Sequence, residues 1–110
     1  MIRVREAGGV EFGSNDVQAL GSYSMASGAG VKAQAEGSLA IGQYNDPDND
    51  KGVNYLFSAG NGNSDSTRSN AFALTKEGDA YFAGKIYYNN IEIDMSKIPT
   101  IYLKTDAPTT

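Results

Sequence analysis

The sequence predicts an all-β chain in which a short strand solenoid, or β-roll, leads into β-hairpins. Three observations carry that expectation. Ser24-Met25-Ala26-Ser27-Gly28 recurs as Ser38-Leu39-Ala40-Ile41-Gly42, a shift of 14 residues that also lays Val17 on Val31 and Ala19 on Ala33. Between the copies, Val31, Ala33 and Ala35 place small apolar groups at every second position, which is the period of a strand. No segment keeps a helical period over ten residues, and 13 glycines against three prolines imply many tight turns.

Taken in order, residues 1–16 read as an N-terminal β segment. Ile2 and Val4 lie before Ala7-Gly8-Gly9, and Val10 and Phe12 after it, so a strand, a glycine turn and a second strand are expected. Residues 17–44 form the repeat region, where Lys32 and Glu36 are the only charges. Residues 45–95 open on Asn45-Asp46-Pro47-Asp48-Asn49-Asp50-Lys51-Gly52, which is loop chemistry because Pro47 disfavours helix before it. A strand over Val53–Ala59 follows, then a polar loop over Gly60–Thr67 and a strand over Ala71–Thr75 in which Phe72 and Leu74 share a face. Lys76-Glu77-Gly78-Asp79 is a hairpin turn with Gly78 free to take a positive φ. The strand Ala80–Tyr88 is expected to continue the inner face through Ala80, Phe82, Gly84 and Ile86. Asn89-Asn90 then reads as a two-residue turn before Ile91 and Ile93. Residues 96–110 read as a linker towards a further domain.

Composition narrows the function. The net charge is −4 with no basic cluster, which argues against nucleic acid. No run approaches 18 apolar residues, so no membrane-inserted helix is expected. Cysteine and histidine are absent, which removes the commonest nucleophile and acid/base roles. No two carboxylates are placed together in a cleft, so no enzyme, catalytic residue or cofactor is expected. Alanine supplies 13 of the hydrophobic residues. Burial yields roughly 25 cal/mol per Å² against roughly 1.5 kcal/mol per ordered residue. An alanine-rich layer therefore calls for surface from identical neighbours, and an obligate oligomer is expected.

Ser24–Gly28 and Ser38–Gly42 resemble the S-x-A-x-G repeat of YadA-like heads in trimeric autotransporter adhesins, and the 14-residue spacing agrees. In the first copy Ser27 stands where the second has Ile41. Phe57-Ser58-Ala59-Gly60-Asn61-Gly62 and Arg68-Ser69-Asn70-Ala71-Phe72 resemble the F-x-x-G-N-G…R-S-N-A-F block of phage and prophage tail-fibre and baseplate receptor-binding proteins. In those proteins a hairpin like Lys76–Ala83 follows. The resemblance covers residues 17–88 and implies an intertwined homotrimer. It would be a segment of a virion tail fibre that carries a host-attachment tip and contacts other tail-fibre or baseplate proteins. A surface-glycan-binding module and the head fragment of a trimeric adhesin on a bacterial surface are the alternatives.

In that trimer the expected interface and structural residues in the repeat are Met25, Ala26, Val31, Ala33, Ala35, Leu39, Ala40 and Ile41. The downstream block adds Phe57, Arg68, Asn70 and Phe72. Arg68 is expected to pair a carboxylate or cap carbonyls across a subunit boundary, since its planar fork suits bidentate contacts. The alternative is an ordinary loop arginine. Asp46, Asp48 and Asp50 alternate as calcium ligands do, but Lys51 and Phe57 stand where a calcium loop has glycine and glutamate. The stretch therefore reads as a solvated acidic turn, with those three aspartates the sole metal candidates. Tyr87 and Tyr88 beside Asn89 and Asn90 are the candidate glycan contacts, although adjacent tyrosines in a strand point opposite ways. Packing or trimer contact is the alternative. The Gly60-Asn61-Gly62 turn lacks the Lys-Ser/Thr and helix of a phosphate cradle.

Overall fold

The computed structural model describes residues 1–48, 55–94 and 96, all-β with no helix among them. Strand β1 (Ile2–Val4) folds back antiparallel on β2 (Val10–Gly13). The chain then coils through β3 (Gln18–Ala19), β4 (Met25–Ala29), β5 (Lys32–Ala33) and β6 (Leu39–Gln43). Strand β7 (Tyr55–Asn61) completes a β-solenoid-like arrangement of about three turns. Strands β8 (Asn70–Thr75) and β9 (Ala80–Phe82) add antiparallel to it. Strands β10 (Tyr87–Tyr88) and β11 (Ile91–Glu92) make a separate hairpin.

Two walls result. The wide wall is a seven-stranded sheet in the order β1-β2-β4-β6-β7-β8-β9, parallel from β2 to β7 and antiparallel at both ends. The narrow wall is the parallel pair β3–β5. The 14-residue shift is a true coil register, since Met25 lies beside Leu39, Gly28 beside Gly42, and Gln18 beside Lys32. The coil also runs past both expected segment boundaries. Val10 pairs with Met25 in β4, and Leu39 with Phe57 in β7, so the intervals are irregular and no fixed repeat marks these outer turns.

The interior lies between the walls and is lined by small side chains. Val17, Ala19, Val31 and Ala33 come from the narrow wall, and Ala26 and Ala40 from the wide one, each no more than 1% exposed. Where the coil leaves the wide wall, Gly13, Gly28, Gly42 and Gly60 stack in register. Gly28 has φ +135°, and a Cβ on it would lie 1.8 Å from the Gly42 carbonyl oxygen. Only glycine permits that approach with that backbone.

Two loop and strand expectations change. Gly60 and Asn61 belong to β7 rather than to a loop, because Gly42 and Gln43 of β6 need them as ladder partners. The expected strand Ala80–Tyr88 is two pieces. Its ladder ends where Ala83 N–H donates to Ala71 O, one residue from the start of β8. Ala80 and Phe82 consequently lie on an exposed face, Phe82 at 53%, instead of lining the interior. Val53 lies outside the described residues. Both expected hairpin turns form: Gly78 takes φ +96°, and Asn89 and Asn90 take φ +52° and +64°, the left-handed values of a two-residue turn.

Gly28→Ala is expected to destabilise the fold by about 3 kcal/mol, from a left-handed backbone combined with a carbonyl clash. Equilibrium denaturation of the variant beside the parent measures it.

Candidate functional site

The outer face of the wide wall is an extended apolar feature available for recognition. Strand pairing aligns Val4, Val10, Met25, Leu39, Phe57, Leu74 and Ala80 in one row across the sheet. A second row runs Ile2, Phe12, Ser27, Ile41, Ala59, Phe72 and Phe82. Ser27 is the single polar side chain in the two rows. Six spacings of roughly 4.8 Å make the stripe about 29 Å long. Phe57, Phe72 and Phe82 pack on one another, with ring centroids 5.6 and 4.9 Å apart. Much of the face remains open to solvent: Ile2 73%, Val4 74%, Met25 43% and Ile41 38%.

The expected interface residues therefore separate. Met25, Leu39, Ile41, Phe57 and Phe72 lie on this outer face. Ala26, Val31, Ala33 and Ala40 do not, since they fill the chain's own interior. A coil of 14 residues encloses too little width for large side chains, so alternation turns the small ones inward and the large ones outward. Ala35 sits half-buried at a corner, where its carbonyl accepts from Ser38 N–H and Ser38 Oγ.

Arg68 caps carbonyls as expected, but within one chain. Its Nη1 donates to Gly30 O at 2.8 Å and to Asn45 O at 3.1 Å, while Nη2 donates to Asp65 Oδ1 at 2.7 Å. Its guanidinium lies 5.7 Å from the centre of the Tyr44 ring, a cation–π distance. Asn70 likewise works inside the chain. It accepts from Asp46 N–H and donates to Asp46 O, both at 2.8 Å, so one side-chain amide imitates a ladder partner. No cross-subunit contact is needed to explain either residue.

Composition gave no notice of the two polar side chains that close the narrow wall. Glu11 is fully buried and accepts from the outward N–H of Ala19 in β3 at 2.7 Å, with Arg3 and Arg5 donating to its two oxygens. Asn45, also fully buried, accepts from Lys32 N–H at 2.7 Å and donates to Lys32 O and Ser58 Oγ at 2.9 and 2.8 Å. Each stands where a further strand would otherwise pair, satisfying backbone groups that burial would orphan. Glu11 was detectable in principle. It occupies the alanine position of the repeat, two residues before Gly13, and pairs with Ala26. Burial pushes its pKa up, but Ala19 N–H, Arg5 and Arg3 outweigh that and hold the carboxyl below the usual range.

The remaining candidates are dispersed. Asp46 is engaged through its backbone by Asn70, Asp48 accepts from Gln34 Nε2 at 3.2 Å, and Asp50 lies outside the described residues. Among the described residues no three His, Cys, Asp or Glu side chains gather as a metal site. Tyr87 and Tyr88 are 60% and 78% exposed on the separate hairpin. No helix among the described residues is long and apolar enough to cross a membrane. Comparison with family models, curated proteins and solved structures returns no match.

Arg68→Ala removes both carbonyl caps and is expected to cost about 2 kcal/mol, read as a lowered thermal midpoint. Because folding depresses the Glu11 pKa, its contribution is full above the unfolded value near 4.5 and is lost as pH falls through the folded one. Thermal midpoints recorded from about pH 6 to about pH 3 should drop in that window, and Glu11→Gln should flatten the drop.

Proposed function

We propose that this chain is a structural and adhesive segment of a homotrimeric phage tail fibre or receptor-binding protein. Its work is mechanical, with no enzymatic step: it forms a stiff β segment in the virion that carries a host-attachment tip and contacts neighbouring tail-fibre or baseplate proteins. The observation that carries the reading is the two-row apolar stripe on the wide wall. Monomeric soluble proteins seldom expose so continuous an apolar surface. Three copies packed about one axis would cover it with like surface and shield the β1 and β9 edges of the sheet. The in-register S-x-A-x-G coils support the reading, because they keep the outward positions Met25, Leu39 and Ile41 apolar while the coil itself is filled by alanine.

The F-x-x-G-N-G…R-S-N-A-F resemblance points the same way. Its residues build the change from parallel to antiparallel pairing: Phe57 and Gly60 in β7, Asn70 and Phe72 in β8, and Arg68 tying the connection back to Gly30 and Asn45. The exposed Tyr87–Tyr88 pair favours a second reading, in which the segment also touches a host-surface glycan.

Light scattering on the purified chain is expected to give three times the 11.6 kDa chain mass, and a stable monomer would overturn the trimer. Leu39→Asp with Ile41→Asp places two charges on the stripe and should convert the assembly to a folded monomer, because neither side chain fills the interior.

A further inference from the structure

We propose that the outer side of the narrow wall carries a binding cleft for an anionic sugar, one bearing a phosphate or carboxylate group. The chain has three arginines and a net charge of −4, yet all three, Arg3, Arg5 and Arg68, line a single cleft of about 310 Å³. Lys32 joins them. Such a volume stands at the lower end of small-molecule sites, roughly 300–1,000 Å³, and suits one sugar unit.

Four cations here face three carboxylates: Glu11, Asp16 and Asp65. The local balance is positive by one charge in a protein that is negative overall. Not all of the cationic capacity is used internally. Among the described residues Arg5 spends Nε on Glu11, which leaves its terminal nitrogens as donors, and the Lys32 ammonium interacts with Asp65 through space without a close ion pair. A guanidinium fork beside an ammonium is the donor set that phosphate and carboxylate oxygens prefer. The acidic side chains are committed: Asp65 accepts from Arg68, and Asp16 accepts from Ser14 Oγ and from Gly30 N–H at 3.1 Å. Both carboxyls are held below their usual range, Asp65 by Arg68 and Asp16 chiefly by the Ser14 hydroxyl.

The class of ligand follows from the neutral groups beside the cations. Asn15 and Gln18 place side-chain amides on the same cleft, and amides both donate to and accept from sugar hydroxyls. Gln18 and Lys32 lie side by side in the β3–β5 register. Their neighbours Val17, Ala19, Val31 and Ala33 point inward, so alternation sends Gln18 and Lys32 outward, away from the apolar stripe. Covering the stripe alone would not cover these two side chains.

The test is a titration of the intact chain with glucose 1-phosphate, glucuronate and glucose, followed by amide chemical shifts at low and high salt. Saturable shifts at Gln18 and Lys32 are expected with either anionic sugar, weakened by salt, and none with glucose. A response to one anionic sugar alone identifies which acid group the cleft takes. Lys32→Gln should weaken binding by about tenfold, the loss of one charge-assisted hydrogen bond, without changing the thermal midpoint. Lys76→Gln, the same charge change on the β8–β9 turn, should leave binding intact. Absence of saturable shifts, affinity unchanged in Lys32→Gln, or inorganic phosphate binding as tightly as glucose 1-phosphate would overturn the proposal.

Discussion

The narrowness of the coil is the constraint on which the rest of the structure depends. Each turn sets a few residues of the wide wall against two residues of the narrow wall, and Ala26, Ala40, Ala19 and Ala33 nearly fill the space between. Side chains alternate across a strand, so each inward alanine obliges its neighbours to face out. Met25, Leu39 and Ile41 are the result. The small interior and the large exposed stripe are one fact seen from two sides, and the stripe has its length because the cross-strand rows continue from β1 to β9.

A coil must also end, and an open strand edge invites further pairing. This chain closes its two walls by different means. The wide wall receives antiparallel strands, β1 at one end and β8 with β9 at the other. The narrow wall is closed at its edges chiefly by side chains, Glu11 with Gly9 N–H on Ala19 towards the N-terminal turn and Asn45 on Lys32 towards the C-terminal one. Both are buried polar groups with their partners in place, which satisfies the requirement on buried hydrogen-bonding groups. The Glu11 closure brings Arg3 and Arg5 to the narrow wall, and the Asn45 closure sits beneath Arg68. Convergence of the three arginines on one cleft is thus a by-product of how the coil is closed.

The molecule therefore has two faces of opposite character. One is apolar, built from the wide wall, and suited to like surfaces. The other is polar and locally cationic, built on the narrow wall. A shaft segment that packed by the first and presented the second outward would reconcile the proposed mechanical role with the proposed sugar cleft.

The sequence by itself determined the all-β class, the 14-residue register of β4 on β6 and both turns, at Gly78 and at Asn89-Asn90. These are local properties: alternation, spacing and backbone freedom are written in neighbouring residues. Met25, Leu39, Ala26 and Ala40 were all expected at one interface; the fold puts the alanines inside and the larger side chains outside, because the width of the coil is a tertiary quantity. The outer turns at β2 and β7 were hidden because their intervals are not 14 residues, and Glu11 was hidden because a carboxylate does not announce itself as a core residue. Arg68 had carbonyl capping legible in the sequence, whereas the backbone mimicry of Asn70 was not. Only the fold decided that their partners, Gly30, Asn45 and Asp46, lie in the same chain, since contacts 23 to 38 residues apart are set by the coil and not by the local pattern.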